Sequence, residues 1–365
     1  MSNRFIEQAA PGLAALKPYV PGKPLSQLER EYGVSNSIKL ASNENPLGPS
    51  PKVVDAIKAR LADLTRYPDG GAFALRTALA GRHGVDPSCV TVGNGSNDVL
   101  DMIARAFLWP GRESLFSQYA FAVYPLSSMA VGADLKIAPA RDYGHDLAAM
   151  QGMLSDKTGV VWIANPNNPS GTRLGETELR AFVAAVPPTV IVVIDEAYFE
   201  YVHADDHPDT SGWLGEFPNL VVTRTFSKAY GLAALRVGYG LSHPDVADLL
   251  NRVRQPFNVD SLAQAAALAA LDDADYLRRS VALNDRGMRQ LVDGVERLGL
   301  DYIPSSGNFL TIDLARDAAA VDEALLRNGV ITRPVANYGL PNHLRVSIGL
   351  GYENERFLAA LEQVL

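Results

Sequence analysis

Cysteine is almost absent from this chain. Cys89 stands alone among 365 residues, so no internal disulfide can form and nothing points to an oxidising compartment. Long apolar runs are missing too: no stretch reaches the roughly 18 to 20 residues that a membrane span needs. The opening MSNRFIEQAAPGLAALKPYV has no basic segment followed by an unbroken apolar core, so the expectation is a cytoplasmic protein without a signal peptide or membrane partner. Basic clusters are equally scarce. Against 41 Asp and Glu stand 33 Lys and Arg, a formal charge of −8, with no stripe that could neutralise a nucleic-acid backbone. A small anionic ligand needs only two or three local cations and stays open.

Several catalytic signatures are also missing. There is no HExxH, GxSxG, GxxxxGK[ST] or CxxC, which leaves a metalloprotease, an α/β-hydrolase and a P-loop NTPase without support. His203 and His207 have metal-ligand spacing and flank two aspartates. Pro208 follows and the segment is polar throughout, so it reads as a solvated loop, and no metal is expected.

What is present suits a soluble enzyme: 47% hydrophobic and 20% charged residues, long enough for a large domain plus a smaller one. Residues 1–40 are rich in Pro and Gly and read as an N-terminal arm. Ser50-Pro51 opens a helix, with Ser as N-cap and Pro in the first turn, and Val53, Val54, Ile57, Leu61 and Leu64 follow at helical spacing. Short apolar runs at 90–92, 159–164, 190–194 and 220–223 alternate with helical patterns, which predicts a mostly parallel α/β sheet covered on both faces. After Pro256 an Ala/Leu-rich helical tract runs over 261–298. Strand candidates at 309–312 and 344–348 and a closing helix follow. The expected division is arm 1–40, large domain 41–255 and small domain 256–365, the last taking in part of the arm.

Four segments carry candidate chemistry. Residues 93–98, GNGSND, begin like a dinucleotide fingerprint, but Asp98 stands where the third glycine belongs. The turn is either an ordinary helix start with Ser96 as N-cap or an anion site of free backbone N–H groups. The loop NPNNPSG at 165–171 is either a surface turn or a rigid ligand loop at a strand end. Asp195, closing the run 190–194, is a helix cap or the partner of a buried cation. Lys228, in TRTFSKAYGLAALRVG, is the only Lys after Lys157 and lies in a mostly apolar run with Arg236 eight positions on. A lysine kept for solubility sits more often among other charges.

Taken in order, KPYVPGKP (17–24), SNENPLGPSP (42–51), RYPD (66–69), GNGSNDVL (93–100), FAVYP (121–125), NPNNPSG, DEAYFEY (195–201) and the Lys228 segment resemble the pyridoxal-phosphate-dependent aminotransferases of fold type I. The likeness is closest to the histidinol-phosphate aminotransferase branch of the class II family and covers nearly the whole chain. It implies an α/β fold, with a large domain built on a mostly parallel central sheet flanked by helices and a smaller α+β C-terminal domain. It also implies a role for Lys228, covalent attachment of pyridoxal 5′-phosphate and then proton transfer, tasks that need a depressed amine pKa. Burial and Arg236 would both depress it.

The resemblance places the cofactor phosphate on Gly95, Ser96 and Asn97, with Thr225, Ser227 and Arg236 as further donors. Asp195 meets the ring N–H⁺. Two unit charges about 4 Å apart at an effective dielectric near 20 interact by roughly 4 kcal/mol, about three pKa units, enough to keep the ring protonated. Asn168 and Tyr198 bond the phenolic oxygen, and Phe121 stacks on the ring. The segment lacks the Pro-Thr-Tyr start common in relatives, so Tyr119 is the alternative. Tyr67 matches a tyrosine that reaches the phosphate from a partner subunit, which implies a homodimer with shared sites. Arg345 binds the anionic end of the substrate with Arg333 as companion, and Tyr19 and Asn43 line the pocket.

The expected reaction is transfer of an amino group from L-histidinol phosphate, the amino donor, to the 2-oxo acid 2-oxoglutarate, in histidine biosynthesis. Two alternatives share the cofactor site: an aromatic amino-acid aminotransferase, and a decarboxylase of a phosphorylated amino acid such as threonine phosphate. A non-catalytic sensor on the same fold fits poorly with an intact Lys228, Asp195 and Arg236.

Overall fold

In the computed structural model, which describes residues 5–9, 12–19 and 21–365, the β-branched runs of the sequence become the middle of a sheet. Seven described strands form it: β1 (Val90–Gly93), β2 (Glu113–Ser117), β3 (Asp134–Ala138), β4 (Thr158–Ala164), β5 (Ile191–Asp195), β6 (Leu220–Thr225) and β7 (Gly238–Ser242). Their order across the sheet is β1-β7-β6-β5-β4-β2-β3. Strands β2 to β6 pair in parallel, while β7 runs antiparallel to both β6 and β1.

Alternation within the central strands sends side chains into two cores. Val161, Ile163, Val192, Ile194 and Val222 face one, with Leu79 and Phe182 from covering helices. Val160, Trp162, Val193 and Val221 face the other, with Leu100, Ile103 and Leu250. A strand buried on both faces needs no polar alternation, hence the unbroken apolar runs. Strand β7 gave no such signal, because Gly238 and Gly240 interrupt it. A Cβ at Gly238 would lie 2.3 Å from the Ser96 nitrogen, so the close passage of β7 under that helix start requires glycine.

A second core lies under β8 (Asp301–Ile303), β9 (Phe309–Asp313), β10 (Arg333–Val335) and β11 (Leu340–Ser347), antiparallel in the order β8-β9-β11-β10. Leu291, Val321, Leu325, Phe357 and Leu361 fill it from three helices, and Ile38 and Leu40 of the arm join it. Ile38–Lys39 pairs in parallel with Val330–Ile331. Residues beyond 256 still contribute to the first core. Helix Ser261–Leu271 packs Ala263, Ala266, Ala267 and Ala270 into the first core. The tract 261–298 is two helices, the second (Ala274–Arg297) capped by Asp273, whose side chain accepts the Tyr276 N–H. Composition alone could not divide it, because alanine serves both helices equally well.

The C-terminal ends of β1, β4, β5 and β6 open on one rim. From β1 the chain crosses through helix Ser96–Phe107 to β2 on the far side of the sheet. That reversal leaves a crevice where open α/β sheets bind ligands.

Candidate active site

One cavity at this rim draws on both units. Its lining includes Ser96, Asn97, Phe121, Asn168, Asp195, Tyr198, Thr225, Ser227, Lys228 and Arg236 from the large sheet's side. Arg333, Tyr338 and Arg345 come from the small sheet, and Tyr19, Gly22, Ser42 and Asn43 from the arm and the segment after it.

The turn after β1 forms an anion cradle. Gly95 is the N-cap of helix Ser96–Phe107, with φ 81° and ψ 164°, a conformation essentially reserved for glycine. A Cβ there would meet Arg236 Nη2 at 2.5 Å. Asp98 ties the turn, accepting from the Asn94 N–H at 2.8 Å and from Asn258 Nδ2 at 2.6 Å. The missing third glycine is thus a side chain that shapes the loop. Arg236 holds a left-handed backbone, φ 52°, and its Nη1 donates to Ser227 Oγ at 3.3 Å. Free helix N–H groups, two hydroxyls and a guanidinium meet here, a donor set suited to a phosphate dianion.

Lys228 lines the same cavity. Its Nζ donates to the Ser42 carbonyl at 3.2 Å, and the Tyr198 ring lies 5.8 Å away. Burial, then the positive charge of Arg345 and that of Arg236, lower its pKa to about 8. The more effective guanidinium is thus Arg345, from the small sheet, rather than Arg236 nearby in sequence.

Asp195 is buried at the end of β5 and is no helix cap. Its Oδ2 accepts from the Tyr124 hydroxyl at 3.0 Å and its Oδ1 from Thr223 Oγ1 at 2.9 Å. Both partners are neutral, so burial raises its pKa to about 6. A buried carboxylate on a cavity wall with hydroxyl partners alone is suited to a cationic ligand. On the opposite face of the sheet, Glu196 is paired with Arg224 at 2.6 Å.

Two arginines line the cavity as well. Arg345 Nη1 donates to Asn168 Oδ1 at 2.5 Å and Nη2 to the Ala41 carbonyl at 2.9 Å, while its buried Nε finds no partner among the described residues. Arg333 lies opposite Arg345 in the β10–β11 pairing, its guanidinium 5.7 Å from the centroid of the Tyr19 ring. Asn43 orients Tyr198, donating to its hydroxyl at 2.9 Å.

The loop 165–171 is buried rather than a surface turn. Asn165 Oδ1 accepts the Leu174 N–H at 2.9 Å, and Asn167 Nδ2 donates to the Tyr119 carbonyl at 2.9 Å, which fixes Asn168 toward Arg345. Phe121 lines the cavity and Tyr119 does not. Gly95 acts through its backbone behind the lining. Tyr67 stays away from this chain's cavity: it is 82% exposed and stacks on Phe257 with centroids 4.6 Å apart. His203 lies outside too, its Nε2 3.0 Å from Asp285 Oδ1. Sequence reasoning missed Tyr338, Tyr124, Thr223 and the Ser42 carbonyl. Only Tyr124 carried a signal, a tyrosine one helical turn beyond Phe121.

The family model described as aminotransferase class I and II matches residues 35–361. A histidinol-phosphate aminotransferase 2 of Pseudomonas aeruginosa is 60% identical over 363 residues, covering 99% of this chain and 98% of the relative. The protein of the same name from Pseudomonas fluorescens is 59% identical, covering 100% and 99%. The crystal structure of histidinol-phosphate aminotransferase from Sinorhizobium meliloti in complex with pyridoxal-5′-phosphate superposes with a TM-score of 0.90 at 30% identity, covering 100% of this chain and 98% of that one. A Thermus thermophilus aspartate aminotransferase mutant, 22% identical, shares the fold with a TM-score of 0.84, covering 97% and 98%.

Proposed function

The chain belongs to the aminotransferase class I and II family, and on that premise we propose that it transfers the amino group of L-histidinol phosphate to 2-oxoglutarate in histidine biosynthesis. The products are imidazole-acetol phosphate and L-glutamate. The enzyme has the α/β fold type I architecture and uses pyridoxal 5′-phosphate. The observation that carries the substrate is the pair Arg333 and Arg345, directly opposed across β10 and β11 and lining the same cavity as the anion cradle. One dianion is accommodated at the cradle and one at the arginine pair, and Lys228 and Asp195 line the cavity with them.

The residues present fit the cofactor. The donors of the Gly95 turn, Ser96, Asn97, Thr225, Ser227 and Arg236 would hold the phosphate. Asp195 would keep a proton on the ring nitrogen, Phe121 would cover the ring face, and Asn168 and Tyr198 would bond the phenolic oxygen. Once bound, pyridoxal phosphate supplies an electron sink for negative charge at the donor's α-carbon.

The protein's own work is then positioning and proton transfer. Lys228, with its amine poised near neutrality, would take the proton from the α-carbon of the amino donor and pass it on to the cofactor within that half-reaction, then run the same transfer in reverse to protonate the α-carbon of the oxo acid in the second. Arg333 and Arg345 hold the phosphate ester so that the α-hydrogen points at Lys228. Asn43 and Tyr198 keep the pocket wall fixed during that transfer. The same guanidiniums accept a carboxylate of 2-oxoglutarate after the first product leaves. Tyr67, exposed beside Phe257, is assigned to the site of a second copy, so the working unit in this proposal is a homodimer with shared sites.

The test is a half-reaction. Holoenzyme is mixed separately with L-histidinol phosphate, L-phenylalanine and L-threonine phosphate, and the loss of its visible absorbance band is followed with product identification. Rapid conversion of histidinol phosphate alone to its oxo product is expected. A faster reaction with phenylalanine, or carbon dioxide from threonine phosphate, overturns the proposal.

A further inference from the structure

We propose that Tyr338 is a specificity-determining residue, donating its phenolic hydrogen to the phosphate of the amino donor beside Arg333; this rests on the substrate reading above. Tyr338 lies in the connection between β10 and β11, where the short helical turn Ala336–Tyr338 ends at Gly339 with φ 82°. This turn brings the phenol into the lining of the cavity that Arg333 and Arg345 also line. Tyr19 lines that cavity with them.

A phenol has one hydrogen to donate and two lone pairs to accept with. The charged neighbours named above are arginines, which supply donors and no acceptor. An anion drawn in by the two guanidiniums is the acceptor that completes the set. The cofactor phosphate does not compete, since its donors converge on Ser96, Asn97 and Arg236.

The experiment is a single-turnover half-reaction of the holoenzyme, wild type and Tyr338→Phe, over a range of L-histidinol phosphate and of L-histidinol, the same amino alcohol without phosphate. Loss of one hydrogen bond to a charged group corresponds to roughly a ten- to hundredfold weakening. The variant should therefore need that much more of the phosphate ester for half-maximal rate. Its maximal rate should stay within about threefold of wild type, and its use of L-histidinol should be unchanged. Equal losses on both substrates would reveal a merely structural role and overturn the proposal, as would no loss on either. A wild type that gains nothing from the phosphate overturns the substrate reading and this proposal together. A wild type that demands the phosphate while Tyr338→Phe matches it overturns this proposal alone.

Discussion

Arg333 and Arg345 face one another across β10 and β11 as a directly opposed cross-strand pair. Like charges in that position are destabilising in an empty sheet, and a doubly charged anion between them reverses the sign. Arg333→Ala should therefore raise the half-saturating concentration of L-histidinol phosphate at least tenfold more than that of L-phenylalanine, read from the concentration dependence of the two half-reactions. Equal losses on both would remove Arg333 from phosphate recognition.

Lys228 should capture the cofactor faster as pH rises. Burial and Arg345 bring its pKa from 10.5 to about 8, and only the neutral amine is nucleophilic. Between about pH 7 and 8 the rate of covalent capture by the apoprotein should climb by up to about tenfold per unit, then level off. Stopped-flow absorbance after mixing apoprotein with pyridoxal phosphate gives the profile. A rise that continues to about pH 10 would mean an ordinary amine. Lys228→Ala should still fold, yet borohydride should fix no cofactor to the chain.

Strand ends were the legible part of this protein. Val190 to Ile194 announces a buried strand, so the carboxylate of Asp195 at its end was conspicuous, and Lys228 stood out as a lone charge in an apolar run. The partners that tune those groups were not legible. Tyr124 and Thr223 reach Asp195 from 71 and 28 positions away, and the Ser42 carbonyl reaches Lys228 from 186. Such contacts depend on how helices and sheets stack, which no local period encodes. The loop 165–171 could be read as a surface turn or a ligand loop, because the same Asn, Pro and Gly make either. Only burial decides, and here the asparagines bond to the interior.

Gly95→Ala should weaken cofactor binding without touching a side chain of the site. The backbone at φ 81° and ψ 164° costs a residue with a Cβ on the order of 1–3 kcal/mol, and the new methyl would press on Arg236 Nη2. Relief comes either from turning the helix start, which misaims the Ser96 and Asn97 N–H groups, or from moving the guanidinium. Both spoil the anion cradle. The dissociation constant for pyridoxal phosphate, measured by fluorescence titration, should rise at least tenfold. Unchanged affinity would place the phosphate elsewhere.

Asp195→Asn sets stability against function. In the cofactor-free chain burial raises this carboxyl from 3.8 to about 6. A raised folded pKa means that the protonated form suits the fold, so the stabilising contribution is full below about pH 4 and is lost as pH rises through about 6. At pH 8 the buried charge costs the apoprotein about 3 kcal/mol. Asparagine carries no such charge. Asp195→Asn apoprotein should therefore melt a few degrees above wild type at pH 8, with the difference closing by pH 4. With cofactor the order reverses, because the carboxylate then faces the ring cation, worth roughly 4 kcal/mol at an effective dielectric near 20. Turnover of Asp195→Asn should fall by about a thousandfold. Calorimetry of both proteins at the two pH values, with and without pyridoxal phosphate, reads all of this. An Asp195→Asn apoprotein less stable than wild type at pH 8 would show that the Tyr124 and Thr223 hydroxyls already satisfy the charge, leaving Asp195 with no need of a cationic partner.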